Sequence, residues 1–215
     1  MTSLHKYTEE KINKDIQCIS HCSSNIFSFQ PIFTCPLCHK QIGDSSSIPF
    51  RLPSPFAKAS QHPCSIVLRP TQGTFLDDFG NSSDLHIAVT TSDGDLVEFN
   101  IQGLKELSSS ESNKEWSSCL VIESVPQNWH SLWDEKLSSM CNDYFWKSAQ
   151  YHEQHLNCYS FVLSFLESLC YGDLSKNSRD KNVFSQIYVI PKTVNAAKYI
   201  STYRQVVKNG VFINR

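Results

Sequence analysis

No apolar run in this 215-residue chain approaches the roughly 20 residues that a bilayer-spanning helix needs. The opening stretch, MTSLHKYTEEKINKD, also lacks the apolar core of a secretory signal. The expectation is a cytoplasmic or nuclear protein that is not secreted and has no membrane span. Basic charge is not in excess: 19 Lys and Arg stand against 21 Asp and Glu, a formal net charge of -2. A broad basic footprint for nucleic acid is therefore missing. No segment repeats at a solenoid period, which excludes a repeat array. What the sequence does have is a 40% hydrophobic composition, enough for one core or a core plus a small appended module. It also has nine cysteines. Disulfides do not persist in a reducing compartment, and an odd count leaves one thiol unpaired in any case. Metal ligation, catalysis and burial are the remaining uses.

The cysteines are unevenly placed. Five fall by position 64, along with His21, His39 and His62. Residues 1–20 are polar with weak periodicity and read as a flexible tail, 21–64 as a zinc-knuckle module, and 65–215 as an α+β domain. SSSIPFRLPSPF (45–56) reads as an extended loop. SIVLRP, GTFLDDF, LHIAVTTSDGDLVEFNI and CLVIESV suggest strands, and LSSSESNKEWSS (107–118) a surface loop. Leu132, Trp133, Leu137 and Met140 have helical spacing. VFSQIYVIP reads as a strand closed by Pro191. A last helix carries Ala196, Ala197, Ile200, Tyr203 and Val207 on one face, with Gly210 as its C-cap.

CPLC (35–38) is a zinc-knuckle sequence, because Cys-x-x-Cys turns two thiolates toward one tetrahedral ion. A closed structural zinc site needs two more ligands, and no second Cys-x-x-Cys supplies them. Cys22, Cys35, Cys38 and Cys64 are the expected set, with His21, His39 or His62 able to replace a weaker member. A redox reading fits less well, since a thioredoxin-type motif ends a strand and opens a helix, and HKQIGDSS does not. RNA binding through the module has little basis: residues 21–64 carry only Lys40, Arg51 and Lys58.

A second candidate site emerges from strand register. A three-residue loop Ser92-Asp93-Gly94, with Gly94 left-handed, pairs Val89 with Val97 and Ile87 with Phe99. One face of the hairpin is then apolar. The other carries His86, Ala88, Glu98 and Asn100, with His86 opposite Asn100. Further along, Cys158, Phe161, Val162, Phe165, Leu166 and Leu169 form a helical apolar stripe, and Asn157 is a good N-cap. Cys158 then opens a helix, where the free N–H groups and the helix dipole favour a thiolate. His86 can take its proton and Asn100 can orient the imidazole. The plain alternative is a core cysteine, since cysteine is among the most buried residue types. His152, His155 and Cys158 also have the spacing of a short metal cluster.

CPLC, CSIVLRPTQGTF, SDLHIAVTTSDG and NCYSFVLSF together resemble the makorin-2 opposite-strand protein family, from about Cys22 to near the C-terminus. That resemblance carries no activity. A second one does. DLHIAVTTSDGDLVEF and NCYSFV are similar to the strand–turn–strand and cysteine helix of circularly permuted papain-like proteins. These are the lecithin–retinol acyltransferase and PPPDE peptidase groups related to NlpC/P60, in which His precedes Cys. The matching positions are His86, Asn100 (or Glu98) and Cys158. The segment around Trp129–Met140 and the His152/His155 pair lie outside the pattern. The resemblance implies an α+β fold, an antiparallel sheet with packed helices, and a thiol hydrolase or acyl transferase acting on a peptide, isopeptide, ester or thioester. The competing expectation is a non-catalytic interaction protein in which structural zinc and core cysteines serve stability. Neither reading identifies the substrate or a protein partner.

Overall fold

The computed structural model describes residues 15–43, 48–80 and 82–214. The fold is α+β, with two antiparallel sheets and several helices. The chain divides into two units, Met1–Pro55 with Ala197–Arg215, and Phe56–Ala196. Among the described residues, no helix is long and apolar enough to cross a membrane.

The first unit holds a four-stranded sheet. Strands β1 (Ile16–His21) and β2 (Ser24–Ser28) form a hairpin, β3 (Phe50–Leu52) pairs with β1, and the C-terminal strand β10 (Val211–Asn214) pairs with β2. Residues 16–20 are thus strand rather than tail, because Ile16, Cys18 and Ile19 are buried; residues 1–14 of the expected tail lie outside the described residues. The division also differs from the expected boundary at residue 64. Pairing of β2 with β10 joins opposite ends of the chain, and no local pattern announces such a contact.

The second unit is built on a six-stranded sheet of β4 (Phe56–Ala57), β5 (Ser65–Pro70), β6 (Leu85–Thr90), β7 (Leu96–Asn100), β8 (Gly103–Leu107) and β9 (Cys119–Ser124). Their order is β4-β9-β5-β6-β7-β8. The register expected from face chemistry is the one observed, with Val89 opposite Val97. Gly94 is left-handed at φ 81°, and Thr91 N–H donates to the Asp95 carbonyl across the loop at 2.8 Å. The ladder between β6 and β7 stops there, however: only Val89–Val97 and Thr90–Leu96 pair.

The helices are α1 (Ser109–Glu115), α2 (His130–Asn142), α3 (Tyr144–Ser148), α4 (Cys158–Ser168), α5 (Gly172–Asn177), α6 (Lys181–Phe184) and α7 (Ile190–Asn209). Three expectations need correction. The polar 107–118 stretch contains α1, started by a capping box in which Ser108 accepts from Glu111 N–H and the Glu111 carboxylate accepts from Ser108 N–H. GTFLDDF forms turns, with Asp78 N–H donating to the Thr74 carbonyl. VFSQIYVIP is helical, not a strand. A π turn at Ser185–Val189, in which Ile190 N–H reaches the Ser185 carbonyl, leads directly into α7. Pro191 is the second residue of α7, directly after that π turn. The buried face of α7 carries Ala196, Tyr199, Ile200, Tyr203 and Val206, while Val207 is exposed. Gly210 is left-handed and ends the helix as expected, at φ 75°.

Gly94 has no room for a side chain: a Cβ would lie 2.5 Å from the Ser60 carbonyl oxygen, and its φ is already positive. Gly94→Ala should lower the melting temperature and cost at least ~1–2 kcal/mol. Gly80→Ala, which meets nothing within 4 Å, should leave the melting temperature close to the parent's in the same thermal scan.

Candidate active site and metal-binding cluster

Glu98 organises the polar face of the hairpin. Its side chain points to the same side of the sheet as His86, and its Oε2 lies 3.0 Å from His86 Nε2. Glu98 is only 2% exposed, so its carboxylate needs protein partners. Trp116 Nε1 donates to Oε2 at 3.3 Å, and Asn100 Nδ2 donates to Oε1 at 2.6 Å. Arg69, directly opposite His86 on β5, adds positive charge. Its guanidinium lies 5.0 Å from the Trp116 ring centre and pairs with Glu115 at 2.8 Å. Helix α1 delivers both Glu115 and Trp116 to this place.

Cys158 reaches the same histidine from the other partner element. Asn157 caps α4, its Oδ1 accepting from Tyr159 N–H at 3.0 Å and Ser160 N–H at 3.2 Å. The stripe Phe161, Val162, Phe165 and Leu166 is buried, which fixes the helix and its first residue against the sheet. Phe161 meets Phe99 of β7 and Trp146 of α3. Beyond the end of the β6–β7 ladder, the Ile87 N–H acts on the Cys158 sulfur, together with the His86 imidazole and the Tyr151 hydroxyl. Tyr151 lies in the connection before α4, its ring 5.6 Å from that of Phe99.

The charges follow from this packing. Burial opposes a charged imidazole at His86, but Cys158 and Glu98 outweigh it and raise the pKa to about 9. Burial likewise opposes a thiolate at Cys158, yet His86, the Ile87 N–H and Tyr151 hold its pKa below the ordinary thiol value. Glu98 is lowered in spite of burial by His86, Arg69 and Asn100. Tyr151 moves the other way, to about 12, through burial and the neighbouring Cys158. These directions favour an imidazolium beside a carboxylate and draw the neighbouring thiol toward its thiolate.

Of the residues expected from sequence, His86 and Cys158 come together. Asn100 does not bond the imidazole; it donates to Glu98, which takes the orienting position. A carboxylate gains more than an amide from a charged ring, and the shortened ladder lets Glu98 reach His86 diagonally. Sequence reasoning missed Trp116, Arg69 and Tyr151. The Ser108-x-x-Glu111 signature was the signal for the helix that carries Trp116; nothing local marked Arg69 or Tyr151. His152 and His155 stack with ring centres 4.7 Å apart, and they form no metal-binding group with Cys158 among the described residues.

A separate cluster lies in the first unit. One donor atom each from His21, Cys22, Cys35 and Cys38 falls within 4.8 Å of all the others, an arrangement that could bind a metal ion. His21 Nδ1 is 3.1 Å from Cys22 Sγ and 3.7 Å from Cys38 Sγ, and the Cys22 and Cys35 sulfurs are 4.0 Å apart. The fourth member is thus His21, not Cys64. Cys64 precedes β5 in the second unit, fully buried, with its N–H on the Thr91 carbonyl and its carbonyl on the Val125 N–H. Burial, then Asp134 and Asp93, push that thiol up to about 12.

A family profile described as DUF4796 C-terminal matches residues 49–206. The human protein named MKRN2 opposite strand protein is 30% identical over 199 residues, which cover 90% of this chain and 86% of that one. No solved structure matches the chain.

Glu98→Gln should return the His86 pKa from about 9 toward the ordinary histidine value near ~6.5, read from the imidazole proton shifts in an NMR titration. Asn100→Ala should move it less. The sign for stability follows: the raised His86 pKa contributes stability that is fully present below ~6.5 and is lost as pH rises through about 9. Glu98→Gln should therefore flatten the fall of the melting temperature across that window.

Proposed function

The chain belongs to the makorin-2 opposite-strand protein family, and from that premise, whose name states no chemistry, we propose that Cys158, His86 and Glu98 form a nucleophilic thiol site on a permuted papain-like fold. The reaction class is hydrolysis or transfer of an acyl group. The observation that carries this reading is the placement of one buried imidazole between a helix-opening cysteine and a fully partnered carboxylate.

Each group has a role. Glu98 holds His86 Nε2, so Nδ1 is the nitrogen that exchanges a proton with Cys158. The thiolate attacks the substrate carbonyl carbon and a C–S bond forms. The carbonyl electron pair moves to oxygen, where the Cys158 N–H at the helix start and the Tyr151 hydroxyl are candidate donors. Imidazolium protonates the leaving amine, alcohol or thiol as its bond to the carbonyl breaks, leaving a thioester. Water or an acceptor nucleophile then attacks that thioester, losing its proton to His86, and Cys158 is released. Asn100, Trp116 and Arg69 act through Glu98 and are positioning residues.

One observation favours a second reading. Cys158 is 5% exposed and His86 6%, so the same triad in a protein that only binds partners would be a buried polar network that fixes the core. For the cluster in the first unit we propose zinc. Three thiolates and an imidazole nitrogen suit a closed tetrahedral structural site, and zinc is the common intracellular ion with that preference.

Alkylation by iodoacetamide across pH, mapped by mass spectrometry on the folded full chain, separates the two readings. Under the catalytic reading Cys158 labels at pH 6, ahead of Cys64, Cys119 and Cys141, and His86→Ala abolishes that labelling and shifts it to higher pH. Catalysis would in addition fall as pH rises through about 9, where His86 ceases to be an acid. If Cys158 stays unlabelled until the protein unfolds, the network is structural.

A further inference from the structure

We propose that a metal ion held by His21, Cys22, Cys35 and Cys38 is the clasp that keeps the C-terminal strand β10 in the N-terminal sheet. This rests on the metal reading of that cluster and extends it to the far end of the chain.

The ligands come from two turns. His21 ends β1, and Cys22 stands in the turn to β2. Cys35 and Cys38 stand in a loop closed by a Thr34–Gln41 bridge, with Cys35 N–H donating to the Lys40 carbonyl and His39 N–H to the Cys35 carbonyl, both at 2.9 Å. Leu37 N–H points at Cys35 Sγ from 3.4 Å, the orientation that stabilises a ligating thiolate.

Both turns are held in a conformation their residues disfavour. Cys22, Ser23 and His39 have φ of 53°, 56° and 57°. None is glycine or asparagine, the residues that adopt this region at low cost. Among the described residues of the first unit, the non-glycine residues with positive φ adjoin or belong to the four donors. Something other than local preference keeps these turns in place, and a bound ion meets all four donors at once.

The same ligands are packed with β10. Cys35 is buried with Ile19 and Ile26, and Val211 and Ile213 of β10 pack on that trio. β10 has four residues and, among the described residues, pairs with β2 alone at the sheet edge. A short edge strand frays unless its side chains are tied down, and the buried trio that ties Val211 and Ile213 includes the donor Cys35. Small modules of this kind rely on a staple. The ion required is a thiophilic divalent cation of tetrahedral preference, zinc or its spectroscopic substitute cobalt(II).

The test uses the full chain, stripped by a chelator and then titrated with Co2+. The expected result is the intense visible absorption of tetrahedral cobalt(II) and its thiolate charge-transfer band. His21→Ala should weaken binding, and Cys64→Ala should not. With free metal at about 100 times its dissociation constant, amide exchange in Ile26–Ser28 and Val211–Asn214 should slow about 100-fold, while exchange in Leu85–Thr90 stays unchanged. Absence of the cobalt–thiolate spectrum from the parent chain would overturn the metal reading and the clasp together. A normal spectrum with unchanged exchange at Val211–Asn214 would overturn the clasp and leave the metal site standing. Because the parent chain gives both readouts, neither depends on a variant that folds.

Discussion

An ionised carboxylate at 2% exposure has to find its charge and its lone pairs satisfied inside the protein. Glu98 meets that demand with three donors and one nearby guanidinium, and the arrangement of the second unit follows from them. The demand explains why a seven-residue polar helix exists between β8 and β9: it ends by placing Trp116 over the sheet with its indole N–H on Glu98. It accounts for Arg69 as well, a half-buried strand residue beside Trp116. Arg69 satisfies Glu115 at the surface and stacks on Trp116, so its charge is held near Glu98 without a direct ion pair. With one buried anion fully partnered, His86 is stabilised as a cation, and a cationic imidazole in turn favours a thiolate beside it.

The position of Cys158 has a different origin. Phe161, Val162, Phe165 and Leu166 are buried on α4, and each such side chain contributes about 1.5–3 kcal/mol by leaving water. Their sum far exceeds the worth of any one hydrogen bond to a sulfur, about 0.5–1.5 kcal/mol. Packing therefore decides where the helix begins, and electrostatics then act on whatever residue occupies that place. The early end of the β6–β7 ladder makes room for it. Two more ladder pairs would close the strands and engage the Ile87 N–H that instead faces the cysteine. The site is thus a local defect in sheet regularity, held open by a well-packed helix.

These two origins account for what could be read in advance. The hairpin register was legible because only one loop length gives an apolar face, and the helix at Cys158 because its stripe and cap are local. The meeting of His86 with Cys158 followed from neither pattern alone; it was expected from the thiolate chemistry of a helix start and strengthened by the resemblance to permuted papain-like proteins. Asn100 was named as the orienting residue because it stands opposite His86 in an unbroken ladder, and the ladder breaks. The helical run through Pro191 was hidden because its apolar residues are spaced by a π turn and imitate a short strand. His21 displaced Cys64 for a topological reason. His21 and Cys22 stand side by side at the end of β1, whereas Cys64, just before β5, is bonded to Thr91 and Val125 of the other unit.

The cysteines show how far environment, rather than residue type, sets chemistry. Cys64, Cys119 and Cys141 are buried and their thiols are pushed up to about 12, in each case by burial before anything else. Cys158 is buried to a similar degree, 5% exposed against 3% for Cys141, and burial alone would put it with them. Its pKa is lowered instead. The difference is made by three groups around one sulfur: the His86 ring, the Ile87 N–H and the Tyr151 hydroxyl. Cys141 has no comparable set, since Glu106 acts on it unfavourably and only Lys147 favours its thiolate. Core burial is a sufficient reason for a cysteine to be present, but it gives no reason for the protein to oppose burial's own effect on the thiol. At Cys158 the fold does oppose it, through a buried carboxylate, a histidine and an interrupted ladder, and that contrast is the ground on which we propose a chemical role for the residue.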